Sequence, residues 1–207
     1  MNITKKAHWE NVYETKMPNQ VSWTQEVPKT SIDLLNACKL EKTDSIIDVG
    51  GGESRFVDYL IAEGYENITV LDISASALEK TQKRLGENAN KVNWIVSDIT
   101  EFQPNSTFDV WHDRATFHFL TNEEDRTQYL NLVNQHINKF IILGAFSEQG
   151  PQKCSGLEVQ QYNELKLSEL FNPQFELISC QTENHITPFE TEQNFIFCSF
   201  KKNRLNS

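Results

Sequence analysis

Three consecutive glycines behind a β-branched run constrain this chain more than any other feature. Ile46-Ile47-Asp48-Val49 reads as a buried strand, Gly50-Gly51-Gly52 as a turn, and Arg55 to Glu63 as an amphipathic helix. A strand that turns on glycine into a helix brings bare backbone N–H groups beside a ligand, because no Cβ blocks the approach. The next β-branched run, Ile68 to Leu71, closes on Asp72. An acid about 20 residues beyond the glycines reaches a ribose hydroxyl where the strand order of a doubly wound sheet reverses. The pattern predicts an adenosine-containing ligand.

From residue 45 onward, strands and helices alternate, the pattern of a parallel sheet covered on both faces. The expected strands are Ser45–Val49, Ile68–Leu71, Val92–Val96, Phe108–Trp111 and Phe140–Leu143. Gly64 closes the first helix between them. Ser76 with Glu79 opens or reinforces the second and Gly86 ends it, and Thr121 with Glu124 forms a capping box ahead of a third. A loop from Gly144 to Leu157 leads to a helix around Tyr162–Phe171 that Pro173 terminates. Two β-rich runs follow, Phe175–Cys180 and Phe195–Phe200, joined by a polar segment that holds His185 and Pro188. They add a late antiparallel pair to five parallel strands, giving seven. Ahead of the sheet, residues 5–16 and a second stretch after Pro28 read as short helices, an appendage covering residues 1–40. The whole of 1–207 is expected to be one α/β domain, with 41–207 as its core.

Charge narrows the partners. A formal net charge of −10 and a pI near 5.0 disfavour nucleic acid and anionic membranes. The basic tail, Lys201, Lys202 and Arg204, reads as a solvated end. Met1 to Glu10 carries no apolar core of an export signal, which predicts a cytoplasmic protein. The four cysteines, Cys38, Cys154, Cys180 and Cys198, lack Cys-x-x-Cys spacing, so neither a metal site nor a redox pair is expected and all four are expected to be free thiols.

The glycine series departs from a dinucleotide fingerprint, since Arg55 stands where a third spaced glycine belongs. A third strand-end acid, Asp98, joins Asp48 and Asp72. Acids at three successive strand ends repel a pyrophosphate and suit a ligand with a sulfonium, an ammonium and ribose hydroxyls. This favours S-adenosylmethionine over NAD. With these residues in place, the chain resembles the class I S-adenosylmethionine-dependent methyltransferases over roughly residues 5–200, with Ser54 where that family usually has another glycine. The resemblance implies a Rossmann-like sheet of strand order 3-2-1-4-5-7-6 with strand seven antiparallel. It implies that Asp48 and Gly50, Gly51 and Gly52 hold the methionine part, that Asp72 takes the ribose with Ile73 against the adenine, and that Asp98 and Ile99 meet the adenine. Phe108 to Leu120 looks like the fourth-strand motif under the sulfonium. A narrower similarity to a group of small bacterial methyltransferases rests on Val21-Ser22-Trp23, Trp111-His112-Asp113-Arg114-Ala115 and Thr187-Pro188-Phe189, among others.

Methyl transfer requires alignment, exclusion of water and, for some acceptors, removal of a proton. His112 and His118 are candidate bases, because imidazole titrates near working pH. Asp113 is expected near the methionine amine, and Arg114 against a substrate carboxylate or Asp113 itself. Cys154, in the loop after the fifth strand, is a candidate for soft-substrate binding, with an ordinary loop cysteine as the rival reading. Tyr13 and Trp23 read as lid residues over the cofactor or as packing anchors, and Trp9 as packing. The substrate walls are expected from 112–118, 146–157 and 183–190. The leading expectation is a methyltransferase acting on a small molecule. A protein lysine methyltransferase, a cofactor-binding regulator without catalysis, and an NAD oxidoreductase are the rivals.

Overall fold

The computed structural model describes residues 4–203. Met1 to Ile3 of the expected lid and Arg204 of the basic tail lie outside the described residues. Helix α1, Lys5–Thr15, is capped by the Thr4 hydroxyl, and a 3₁₀ turn at Pro18–Gln20 leads to α2, Lys29–Ala37. Then come β1 (Ser45–Val49), α3 (Phe56–Ala62), β2 (Asn67–Asp72), α4 (Ala75–Leu85), β3 (Val92–Val96), β4 (Phe108–Arg114), α5 (Glu123–His136) and β5 (Ile137–Phe146). A two-stranded ribbon, β6 (Lys153–Cys154) with β7 (Leu157–Glu158), precedes α6 (Glu164–Phe171), β8 (Phe175–Ile186) and β9 (Glu192–Lys202).

One sheet of seven strands runs β3-β2-β1-β4-β5-β9-β8. β1 to β5 pair in parallel, and β9 enters antiparallel between β5 and β8. This is the doubly wound order that the resemblance implies, with β9 as its seventh strand. The strand interiors are apolar on both faces, as helices on either side demand. One core packs Trp111, Tyr129, Phe171 and Phe200; the other packs Leu35, Phe56, Val70 and Phe197.

Several local expectations are corrected. Ser74, not Ser76, caps α4, its hydroxyl accepting from the Ala77 amide at 3.2 Å. Asn122, not Thr121, caps α5, accepting from Asp125 at 2.8 Å. Both shifts put the short polar side chain three residues ahead of an orphan helical N–H. The polar segment holding His185 is strand rather than loop, because β8 and β9 stay in register out to Ile186 and Glu192. Lys201 and Lys202 belong to β9, and the Lys202 ammonium donates to the carbonyls of Asn134 and Ile137. Cys180 and Cys198 face one another across β8 and β9 and are joined as a disulfide, so only Cys38 and Cys154 are free. A separation of 18 residues gave no hint of that pairing; the hairpin creates it.

Candidate active site

The carboxyl ends of β1 to β4 converge on two adjoining cavities. The first has Asp72, Ile73, Asp98 and Ile99 at one end. Arg114, His118, Phe146, Cys154 and Phe195 form the other. The second lies against Asp48, Gly50, Gly51 and Glu53, with Lys80 and Arg84 on its rim. Tyr13, Trp23, Gly50 and Arg114 belong to both walls and stand between the two spaces.

The glycine turn is built for close approach. A Cβ on Gly50 would fall 1.8 Å from the Thr116 hydroxyl, and one on Gly51 2.7 Å from Asp48 Oδ2. Gly50 holds φ +66, a left-handed conformation that glycine adopts without strain. The amides of Gly50 and Gly51 both donate to the Leu71 carbonyl, at 2.7 and 3.2 Å. The expectation of bare N–H groups is corrected for these two: the turn is clamped to β2, and what glycine contributes is room.

The strand-end acids differ in their partners. Asp48 Oδ1 accepts from His112 Nδ1 at 2.7 Å, while its Oδ2 is buried without a partner. Asp72 accepts from the Ser74 amide at 2.8 Å. Burial, reinforced by the charge of Asp48, pushes the Asp72 carboxyl up to about 7 against the backbone N–H groups of Ser74 and Gly52. Asp98 Oδ1 takes the amide and hydroxyl of Thr100 at 3.0 and 2.9 Å. Asp113 is fully engaged. Its Oδ1 accepts from the amides of Thr116 and Phe117, its Oδ2 from the Tyr129 hydroxyl at 2.7 Å, and it lines neither cavity.

The histidines are corrected too. His112 is buried, stacked on Phe56 with centroids 4.0 Å apart, and its Nε2 meets the Ser31 hydroxyl at 2.8 Å. With both ring nitrogens engaged, it joins α2 to β1 and β4 and steadies Asp48 on the wall of the second cavity. His118 lines the first cavity, but burial and the Arg114 charge hold it down to about 3, so it stays neutral. Its Nδ1 accepts from the Phe146 amide at 3.2 Å, so the network places the lone ring proton on Nε2. A ring nitrogen that already carries its proton is no base. His185 lines neither cavity; it fastens β8 to the Ser22 carbonyl at 2.6 Å. Cys154 reaches the first cavity with its thiol pushed up by burial, which disfavours the thiolate.

α1 and the loop after it bring Trp9, Tyr13 and Trp23 to the wall of the first cavity. Trp9 packs edge-on to Trp23 and Phe119, with centroids 5.7 and 5.0 Å apart. The Tyr13 hydroxyl sits over the turn, 2.8 Å from where a Gly52 Cβ would stand. Segment 183–190 supplies no wall residue; Phe195, which β9 places opposite Phe146, does so instead. Sequence reasoning passed over Phe195, which carries no local motif. Ala115 and Thr116 fall within the expected 112–118 wall and line the first cavity; Ala115 holds φ +73 at the end of β4 and separates Arg114 from Thr116 by a tight reversal.

Residues 46–139, which span the glycine turn and the first four strands, match the methyltransferase-domain family. Residues 46–139 carry a methyltransferase domain, set in a Rossmann-like methyltransferase sheet. EEF1A lysine methyltransferase 2 of Danio rerio is 26% identical over 84% of this chain and 76% of its own length. The ubiquinone biosynthesis O-methyltransferase of Rickettsia canadensis is 31% identical over 56% of this chain and 49% of its own. The fold superimposes on 1,6-didemethyltoxoflavin-N1-methyltransferase of Burkholderia thailandensis, solved with S-adenosylhomocysteine, at TM-score 0.71 and 15% identity, covering 96% of this chain and 87% of that one. Among the described residues no cluster of three or more His, Cys, Asp or Glu side chains suited to a metal is present, and no helix is long and apolar enough to cross a membrane.

Proposed function

We propose that this domain transfers a methyl group from S-adenosylmethionine to a small-molecule acceptor bound under the lid. The observation that carries the reading is the polarity of the first cavity, with Asp72 and Asp98 at one end and Arg114 at the other. Asp48 Oδ2, buried and unpartnered beside Gly51, fits the methionine ammonium. Asp72 fits the ribose hydroxyls, with Ile73 and Ile99 flanking the adenine, and the remaining oxygen of Asp98 fits the adenine amino group. When bound, the cofactor supplies an electrophilic methyl on a sulfonium. The chain's own residues orient the partners and exclude water. Tyr13 and Trp23 close the space from above, and their π faces suit a neighbouring cation. Asp113 holds the turn after β4 in shape and makes no contact with either cavity.

A second reading, transfer to a protein lysine, is favoured by the similarity to the zebrafish lysine methyltransferase. Charge argues against it here, because an incoming ammonium would meet the Arg114 cation at the inner end. Titration with S-adenosylhomocysteine should give micromolar binding that Asp72→Ala abolishes. Radiolabelled methyl transfer in a lysate should then enter the small-molecule fraction. Label confined to protein would reverse the choice of acceptor, and absence of binding would overturn the cofactor assignment.

A further inference from the structure

At the inner end of the first cavity two N–H donors lack acceptors. His118 Nε2 is buried with no hydrogen-bond partner, its opposite nitrogen being held by the Phe146 amide. Arg114 donates through Nη2 to the Trp23 carbonyl at 3.0 Å, but its Nε–H is buried and unpartnered. The two side chains share a neighbour. The Arg114 guanidinium carbon lies 5.7 Å from the centre of the Phe195 ring, and the His118 ring centre 6.4 Å from it. Arg114 forms no ion pair among the described residues; the acids whose charges act on it, Glu183 and Asp48, stand outside ion-pair range. Glu183 is occupied by Gln25 and Thr30.

Buried donors without acceptors are costly, and a cation without a counter-charge more so. The surrounding walls supply no acceptor: Trp23, Phe146 and Phe195 are flat and largely apolar, and the Cys154 thiol is neutral. A ligand that relieves both donors must bring negatively charged oxygen on a flat apolar body, the combination a carboxylate on a small ring provides.

We propose that the acceptor molecule is a small planar carboxylic acid, its carboxylate accepting from Arg114 Nε–H and His118 Nε2–H. This deepens the methyltransferase reading and rests on it. It also gives His118 the role of a donor to substrate.

The test uses the full chain with S-adenosylhomocysteine, followed by ligand-observed NMR titration with benzoate and with benzamide, its neutral isostere. Benzoate should bind at least about tenfold more tightly than benzamide. His118→Phe, which keeps a ring against Phe146, should lower benzoate affinity several-fold and leave benzamide unchanged. Arg114→Gln should bring benzoate down to the benzamide level. Equal binding of the two probes to the unaltered protein, or no binding of either, would overturn the proposal without touching the cofactor assignment, and would mean that water satisfies these donors. Failure of S-adenosylhomocysteine to bind would overturn both.

Discussion

Asp48 and Asp113 stand on adjacent strands, one residue apart in register, and both are buried. Nothing in residue type or depth distinguishes them. Asp113 accepts three hydrogen bonds that fill both of its oxygens, and one donor, Tyr129, is itself held by Trp111 at 2.7 Å. Asp48 uses one oxygen on His112 and leaves the other without a partner. The first arrangement is finished within the chain; the second leaves an acceptor open, which the ammonium proposed above would fill. An unfilled valence, rather than burial or charge, separates a structural acid from a binding one.

The contrast can be broken most forcefully at Asp113. Asp113→Ala leaves the Tyr129 hydroxyl and two amides without their acceptor, and should cost about 3–5 kcal/mol of stability, read by chemical denaturation. A small loss there, with a large loss of cofactor binding, would reverse the two roles. Asp48→Asn keeps an oxygen for His112 and removes only the charge. It should weaken S-adenosylmethionine binding by about tenfold or more, with little change in melting temperature.

Asp72 sharpens the comparison through pH. Its carboxyl sits at about 7 in the folded protein against an ordinary value of 3.8. A raised carboxyl contributes stability below the unfolded value, which is lost as pH rises through the folded one. The ligand-free protein should therefore lose stability from this group between about pH 4 and 7. Ribose hydroxyls and a sulfonium favour the carboxylate, so cofactor affinity should rise across the same upper range. Calorimetry should find binding about tenfold weaker at pH 6 than at pH 8, and Asp72→Asn should flatten the profile.

The parallel half of the sheet was legible because its signals are local: β-branched runs, glycine at the turns and acids at the strand ends. The placement of Asp48, Asp72 and Asp98 at the cavity walls was legible for the same reason. What each side chain does was less so. Whether His112 faces substrate or core depends on Ser31, 81 positions away, and the saturation of Asp113 on Tyr129, 16 away. The final hairpin was read too short because its outer half is polar. Strand pairing with β9 holds it extended there, an effect that hydrophobic alternation does not encode.

The lid is tied down at two separate places. α1 is held to α4 by Glu10 on Ser76 and by Lys80 on the Tyr13 carbonyl, while the loop after it is held to β8 through Ser22 with His185 and Gln25 with Glu183. Tyr13 and Trp23, which stand between the two cavities, belong to those fastenings: Lys80 holds the Tyr13 carbonyl, and Trp23 lies between Ser22 and Gln25. On the placement proposed above, a cofactor reaching both Asp48 and Asp98 would move them on arrival, and its spent form would move them again on departure. Traffic through the site would then wait on both fastenings letting go together.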